Sequence, residues 1–330
     1  VQKKQKFILL TLGLVLVVVS IVALGMGAYH IPPADILTML TQKLHFGSVG
    51  GVHNMHEDVL FEIRMPRLLL GLQGIFRNPL AEPGLIGISS GASLFAVLII
   101  AFETFLFTSL AAWIGYYILA FGAFVGAGLT AFLVYRIASK NGRPNVTTML
   151  LAGIAINAFA GALTGLMTYM STEQQLRTIT FWMLGSLGGA TWDNLRALAP
   201  FILIPVLILP FFGKSLNAFS LGELQADLLG MRTDRVKRWV VVLSTLAVGA
   251  SVAVSGIIGF VGLIVPHTVR LMGGADHRFV LPGSLLLGAL VLTLADVIAR
   301  VAVAPIELPI GVITALLGTP VFLYILIKDK

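Results

Sequence analysis

The 330-residue chain has no cysteine, which excludes disulfides and thiolate metal sites. Charge is scarce as well. Only 11% of residues are Asp, Glu, Lys or Arg, where a soluble domain carries roughly 25%. With 57% hydrophobic residues, the chain lacks the polar side chains needed to cover a water-facing surface. A Walker A loop requires GxxxxGK[ST]. Gly213-Lys-Ser resembles its tail, but Ile208 stands where the first glycine belongs, so no nucleotide site is visible. HExxH is missing too, because His56-Glu57 is followed by no second histidine. His45, His53 and His56 share one polar stretch, yet their spacing matches no compact metal site. Solvated loop histidines are the expectation there.

What the chain has is long apolar runs. Several approach the roughly 20 residues that cross a bilayer as a helix, and none alternates as the strands of a membrane barrel do. The fold expected is therefore an all-α polytopic membrane protein, with residues 1–330 as one transmembrane domain. The net charge of +7 does not call for nucleic acid. Lys and Arg fall in short loops beside the runs, as the positive-inside rule describes. The first run, residues 7–26, follows Lys3, Lys4 and Lys6. It is long for a signal peptide and lacks a clear cleavage site, so it reads as a retained span with a cytoplasmic N-terminus.

Further runs lie at residues 86–107, 113–135, 146–169, 195–212, 239–254, 256–272, 280–299 and 308–327. Residues 171–182 form a polar, helix-compatible outer segment, and Pro200, Pro205 and Pro210 are expected to kink the run that follows. One run is short. Residues 68–76 span about nine positions where a crossing needs roughly 17–25, yet the basic loop at Arg77 belongs on the cytoplasmic side. The reading is that about a dozen or more residues are absent between Leu72 and Gln73, with these two Cα atoms far beyond bonding distance. Restoring that helix gives about ten spans, with both termini cytoplasmic.

Four stretches stand out chemically. Residues 77–93, RNPLAEPGLIGISSGAS, open as a basic proline-containing loop and continue into small residues. That pattern suits a loop followed by a closely packed transmembrane helix. Residues 220–231, SLGELQADLLGM, are too short and polar to span. They carry leucines at 221, 224, 228 and 229 beside Glu223 and Asp227. A short cytoplasmic helix docking into a partner's groove fits, because membrane-surface helices favour Lys and Arg. Arg64, Arg67 and Arg300 lie at the expected outer boundary, where basic residues are disfavoured. An acidic extracytoplasmic partner or snorkelling side chains would each account for them. Asp296 with Arg300 four residues on is either a structural ion pair or the coupling site of an ion-driven carrier.

From Arg64 onward the sequence resembles the permease subunits of type II ABC importers, the FecCD-like family that takes up vitamin B12, haem and ferric siderophores. The resemblance rests on IRMPR at 63–67, the stretches at 77–93 and 220–231, GFVGLIVPHTVR at 259–270, ADHRFVLP at 275–282, ADVIAR at 295–300 and ELPIG at 307–311. It implies a non-enzymatic permease in the bacterial inner membrane, paired with a second copy of itself. Two separate ATPase subunits would bind ATP and Mg, and this chain would hold no cofactor. It implies that Ser220, Leu221, Gly222, Glu223, Leu224, Ala226, Leu228 and Gly230 form the helix each ATPase grips. It further implies that Arg64, Arg67 and Arg300 receive acidic side chains of a periplasmic binding protein. Residues 176–187, LRTITFWMLGSL, resemble the haem-importing branch more than the vitamin B12 branch. Arg177 would then face a haem propionate, while Tyr169, Phe181 and Trp182 line the pore or anchor the interface.

Overall fold

A computed structural model describes residues 2–27, 29–44, 55–72, 87–102, 117–140 and 143–328. Helices follow one another almost without interruption: α1 (Lys3–Gly25), α2 (Pro33–Leu44), α3 (Met55–Asp58), α4 (Met65–Gly71), α5 (Ile88–Ala101), α6 (Ile118–Ala138), α7 (Val146–Met170), α8 (Glu173–Leu184), α9 (Trp192–Ile208), α10 (Gly213–Phe219), α11 (Glu223–Leu228), α12 (Thr233–Ser255), α13 (Val261–Gly273), α14 (His277–Val301) and α15 (Ile310–Lys328). Among the described residues six spans, α1, α6, α7, α9 with α10, α12 and α14, are long and apolar enough to cross a bilayer, and α5, α13 and α15 are shorter apolar helices. The break expected at Leu72–Gln73, histidines 45 and 53 and most of the 77–93 stretch lie outside the described residues.

Helix boundaries follow local chemistry. Asn145 and Thr172 cap α7 and α8, and Gln175 completes a capping box on α8. The amide of Gln175 also donates to the Ile100 and Ala101 carbonyls, so α8 seals the open end of α5. In α9, Pro200 and Pro205 are inside the helix, and Pro210 falls in the tighter turn Leu209–Phe212. Between α3 and α4 a π-helical turn, Val59–Arg64, absorbs Pro66, which has no N–H to donate backwards. Two differences from the sequence reading concern loops. The polar stretch after α1 contains α2, which starts at Pro33 where a missing N–H does no harm and buries Ile31 and Ile36. The basic loop after α6 closes with a small antiparallel ladder, Ser139–Lys140 on Arg143–Pro144.

The core is built from small side chains, which let helices approach closely where lipid removes the hydrophobic drive between them. Helix α5 lies against α6 and α7, α6 against α12, and α14 against α1 and α13. At the first crossing Gly91 faces Gly126, and a Cβ on Gly91 would overlap the Thr130 hydroxyl and the Gly126 carbonyl. Ala92, Ala96, Ala123 and Ala127 continue that seam, fully buried. The described part of the 77–93 stretch is thus a close-packing helix face.

The bundle has two chemically different ends. At one, Gln5 donates to the Gly273 carbonyl and Lys237 to the Pro144 carbonyl. There Asn217 joins α10 to Asp276, the N-cap of α14. At the other, the last turn of α1 meets α4, the last turn of α14 and the segment leading into α15.

Candidate functional sites

The arginines expected at a surface are inside. Arg64, Arg67 and Arg300 are only 6%, 7% and 8% exposed. A buried guanidinium needs partners, and this fold supplies two kinds. Carboxylates serve Arg67, whose Nε lies 2.8 Å from Asp296 Oδ1 and whose Nη1 reaches both Glu307 oxygens at 2.9 and 2.8 Å. The other oxygen of Asp296 takes Arg300 Nε at 3.0 Å. Carbonyls serve the rest. Arg300 donates to Met26 O at 2.8 Å and Ala23 O at 3.0 Å, and Arg64 to Leu24 O at 2.5 Å and to Tyr29 O. The last turn of a helix leaves carbonyls unpaired and carries partial negative charge. The end of α1 therefore receives two cations that no local cap provides for.

The arginines are thus neither snorkelling nor free forks, because each already holds partners within the chain. Asp296 and Arg300 do form the expected ion pair, but Asp296 is shared with Arg67, so one carboxylate joins α4 to α14. In the sequence Glu307 is visible only as the first residue of ELPIG. A lone acid in an apolar run beside an arginine-rich end was the available signal for its role. Together the three arginines and two acids leave one positive charge. The three arginines and Asp296 line a cavity of about 10 Å³ together with Thr293, whose buried hydroxyl has no partner among the described residues. A void of that size holds about one water molecule.

The second site is at the opposite end. Helix α11 is one and a half turns long, between Gly222 at φ 113° and Gly230 at φ 80°. These left-handed positions favour glycine and set its sharp entry and exit. Ala226 is fully buried beneath it. Two side-chain ties hold the helix to α12: Thr233 donates to Asp227 at 2.6 Å, and Lys237 pairs with Glu223. Ser220 closes the preceding turn on Asn217 O at 2.6 Å. The leucines point the other way. Leu221, Leu224, Leu228 and Leu229 are between 64% and 80% exposed, an apolar row with no cover from the described residues. Glu223, expected among the docking residues, faces Lys237 and acts as an anchor.

The four pathway candidates separate. Tyr169, Arg177 and Phe181 are exposed. Trp182 turns inward against the core formed by α5, α6 and α12, and its carbonyl sits where a Cβ on Gly256 would be. His56 stacks edge-on against Tyr29 at 5.3 Å and lies 3.7 Å from Asp35. Residues 87–91, GISSG, have the spacing of a nucleophile elbow. Ser89 here lies within α5, and Ser90 bonds Asn157 at 2.5 Å, so these serines serve helix packing.

The chain is thus a membrane bundle of apolar helices with buried ion pairs at one end and a pinned helix flanked by exposed leucines at the other. Residues 15–328 match the FecCD transport family, and the chain belongs to it. It is 40% identical to the hemin transport system permease protein HmuU of Yersinia pestis, over 97% of this chain and 96% of that protein. That alignment runs to 338 positions, longer than the 330-residue chain, so the relative has residues with no counterpart here. It is 37% identical to the cobalamin import system permease protein BtuC of Halobacterium salinarum, over 85% of this chain and 76% of that one. A solved metal-chelate type ABC transporter in an inward-facing conformation superposes with a TM-score of 0.81 at 32% identity, over 98% of this chain and 99% of that one. The chain is an ABC importer permease, and ATP hydrolysis falls to a separate ATPase.

Proposed function

We propose that this permease passes an iron-containing chelate, haem foremost, across the inner membrane of a bacterium. Two copies form the pathway, and each binds one ATP-hydrolysing subunit that holds ATP and Mg. The observation that carries the mechanism is the leucine row of α11. Four exposed leucines, two on α11 and two flanking it, sit beside the Asp227 and Glu223 ties and offer a partner a stiff apolar ridge. A groove that grips the ridge can pull α11 together with α12, because Thr233 and Lys237 belong to α12. The α11 end is then cytoplasmic, as are both termini.

The opposite end receives a periplasmic binding protein. Arg64, Arg67 and Arg300 contribute there as a buried positive field, and the half-exposed Glu307 is the group an incoming carboxylate would displace. Haem is favoured by the hemin permease's identity and by residues 176–187. The exposed Arg177 suits a propionate, with Tyr169 and Phe181 nearby in sequence for the apolar faces. Ferric siderophore or cobalamin import by the same mechanism is the runner-up. An ion-coupled carrier is disfavoured because both Asp296 oxygens are already paired, one with Arg67 and one with Arg300.

The test is uptake into proteoliposomes containing the permease with its co-purifying ATPase, supplied with haem-loaded binding protein. ATP-dependent haem uptake that weakens in Arg177→Ala is expected. Uptake of cobalamin but not haem would reassign the substrate, and transport without any ATPase would overturn the mechanism.

A further inference from the structure

Helices α6 and α12 run antiparallel and touch where Gly249 meets Ala127. A Cβ on Gly249 would lie 3.2 Å from that of Ala127. Towards the α11 end the two helices part. They are bridged again by Arg238 Nε donating to the Tyr135 hydroxyl at 3.4 Å. Between crossing and bridge lies a groove of about 330 Å³, within the roughly 300–1,000 Å³ of ligand pockets. Its floor is Gly128 and Ala131, and its α12 wall includes Val241 and Val242. The inner end holds Thr245, whose buried hydroxyl has no partner among the described residues. Thr245 is seven residues, about 10 Å, from Arg238 along the helix.

We propose that this groove binds one anionic phospholipid, its phosphate on Arg238 and Tyr135 and one acyl chain along Gly128 and Ala131. The inference goes beyond the transport reading and rests only on the membrane fold. Three observations select this occupant. The groove mouth carries an exposed arginine and a phenol, both donors, suited to an acceptor-only phosphodiester. Exposed Phe132 lines it and exposed Trp239 adjoins Arg238 in sequence, aromatic residues of the kind found at a membrane–water boundary. The unpaired Thr245 hydroxyl marks a missing acceptor inside an otherwise apolar channel, and a fatty-acyl ester carbonyl is one. Basic side chains at such a surface contribute about 1 kcal/mol each towards anionic lipid. The neighbouring Lys237 holds Glu223 of α11, so the lipid would sit one residue from the link between α11 and α12.

The permease–ATPase complex in phosphatidylcholine nanodiscs, with the tryptophans other than Trp239 replaced by phenylalanine, tests this. Brominated phosphatidylglycerol is the probe, and quenching of Trp239 is the readout. Quenching should saturate well below the bulk fraction of the probe. The half-saturating fraction should rise about fivefold in Arg238→Gln, the factor for ~1 kcal/mol of headgroup attraction. In Gly128→Leu saturation should vanish and quenching should follow bulk fraction. That variant is tolerable because a Cβ on Gly128 meets nothing within 4 Å. Equal quenching by brominated phosphatidylcholine, or no response to either substitution, would overturn the proposal. So would an unquenched Trp239 in wild type, which would give the groove to a second copy of the chain.

Discussion

Arg67 and Asp296 are 229 residues apart in sequence and 2.8 Å apart in space, both almost fully buried. Arg67 also holds Glu307, whose side chain is 47% exposed. The two carboxylates should respond differently to removal. Asp296→Asn leaves two buried guanidiniums short of a counter-charge and should destabilise by roughly 3–5 kcal/mol. Glu307→Gln should cost at most about 1 kcal/mol, because water screens that pair. Thermal unfolding of both variants in one detergent would show the contrast. Equal losses would mean that Asp296 is not the centre of the cluster.

The exposed leucines should matter for assembly and not for folding. Leu224→Ala with Leu228→Ala should leave the melting temperature of the isolated permease nearly unchanged, since surface changes stay within about ±0.5 kcal/mol. Capture of the ATPase by the same protein should fall by at least about tenfold, the factor for ~1.4 kcal/mol. Lys237→Ala frees Glu223 and leaves the leucines in place. It should reduce uptake per ATP more than it reduces ATPase binding.

Two glycines test the packing of the core. Gly91→Ala inserts a methyl into Thr130 and the Gly126 carbonyl, and should lose about 1–3 kcal/mol as other overpacked cores do. Gly161→Ala, where nothing lies within 4 Å of the new Cβ, should be neutral or slightly stabilising through helix propensity. Comparable losses at both positions would argue against the α5–α6 crossing.

Asp276 provides the acid-side prediction. The Asn217 amide, donating at 2.7 Å, is the main cause that holds its carboxyl below the usual range, helped by the Arg278 backbone N–H. A depressed folded pKa contributes stability that is present above the unfolded value near ~3.9 and is lost as pH falls through the folded value. Asn217→Ala should raise the Asp276 pKa and lower stability at neutral pH. The gap from wild type should narrow below about pH 4. A pH-independent gap would mean that Asn217 acts only by packing α10 against α14.

Helix positions were readable because apolar runs need about 20 residues and end at charge, proline or a capping group. The α11 leucines were readable for a related reason: apolar spacing in a segment too polar to span has to face something. The arginine end was not readable. Sequence order places Arg64 and Arg300 at a boundary, but not the end of α1, whose unpaired carbonyls take up their charge. The inward turn of Trp182 was hidden likewise, because it depends on Gly256, more than seventy positions away, leaving room for its carbonyl.

Where α8, α12 and α15 meet, contact is made by main chain. Ser186 N donates to Ser255 O at 2.9 Å and Ile310 N to Gly185 O at 3.1 Å. Gly185, Gly256 and Gly311 remove the side chains that would keep these strands of backbone apart. A joint made of amides is indifferent to the identity of neighbouring side chains. Over evolutionary time the exposed Tyr169, Arg177 and Phe181 can therefore be exchanged without loosening the frame that carries them. The three glycines themselves have no such freedom. A family that diversifies its cargo on this fold is expected to vary in the exposed faces of α7 and α8 and to keep that joint.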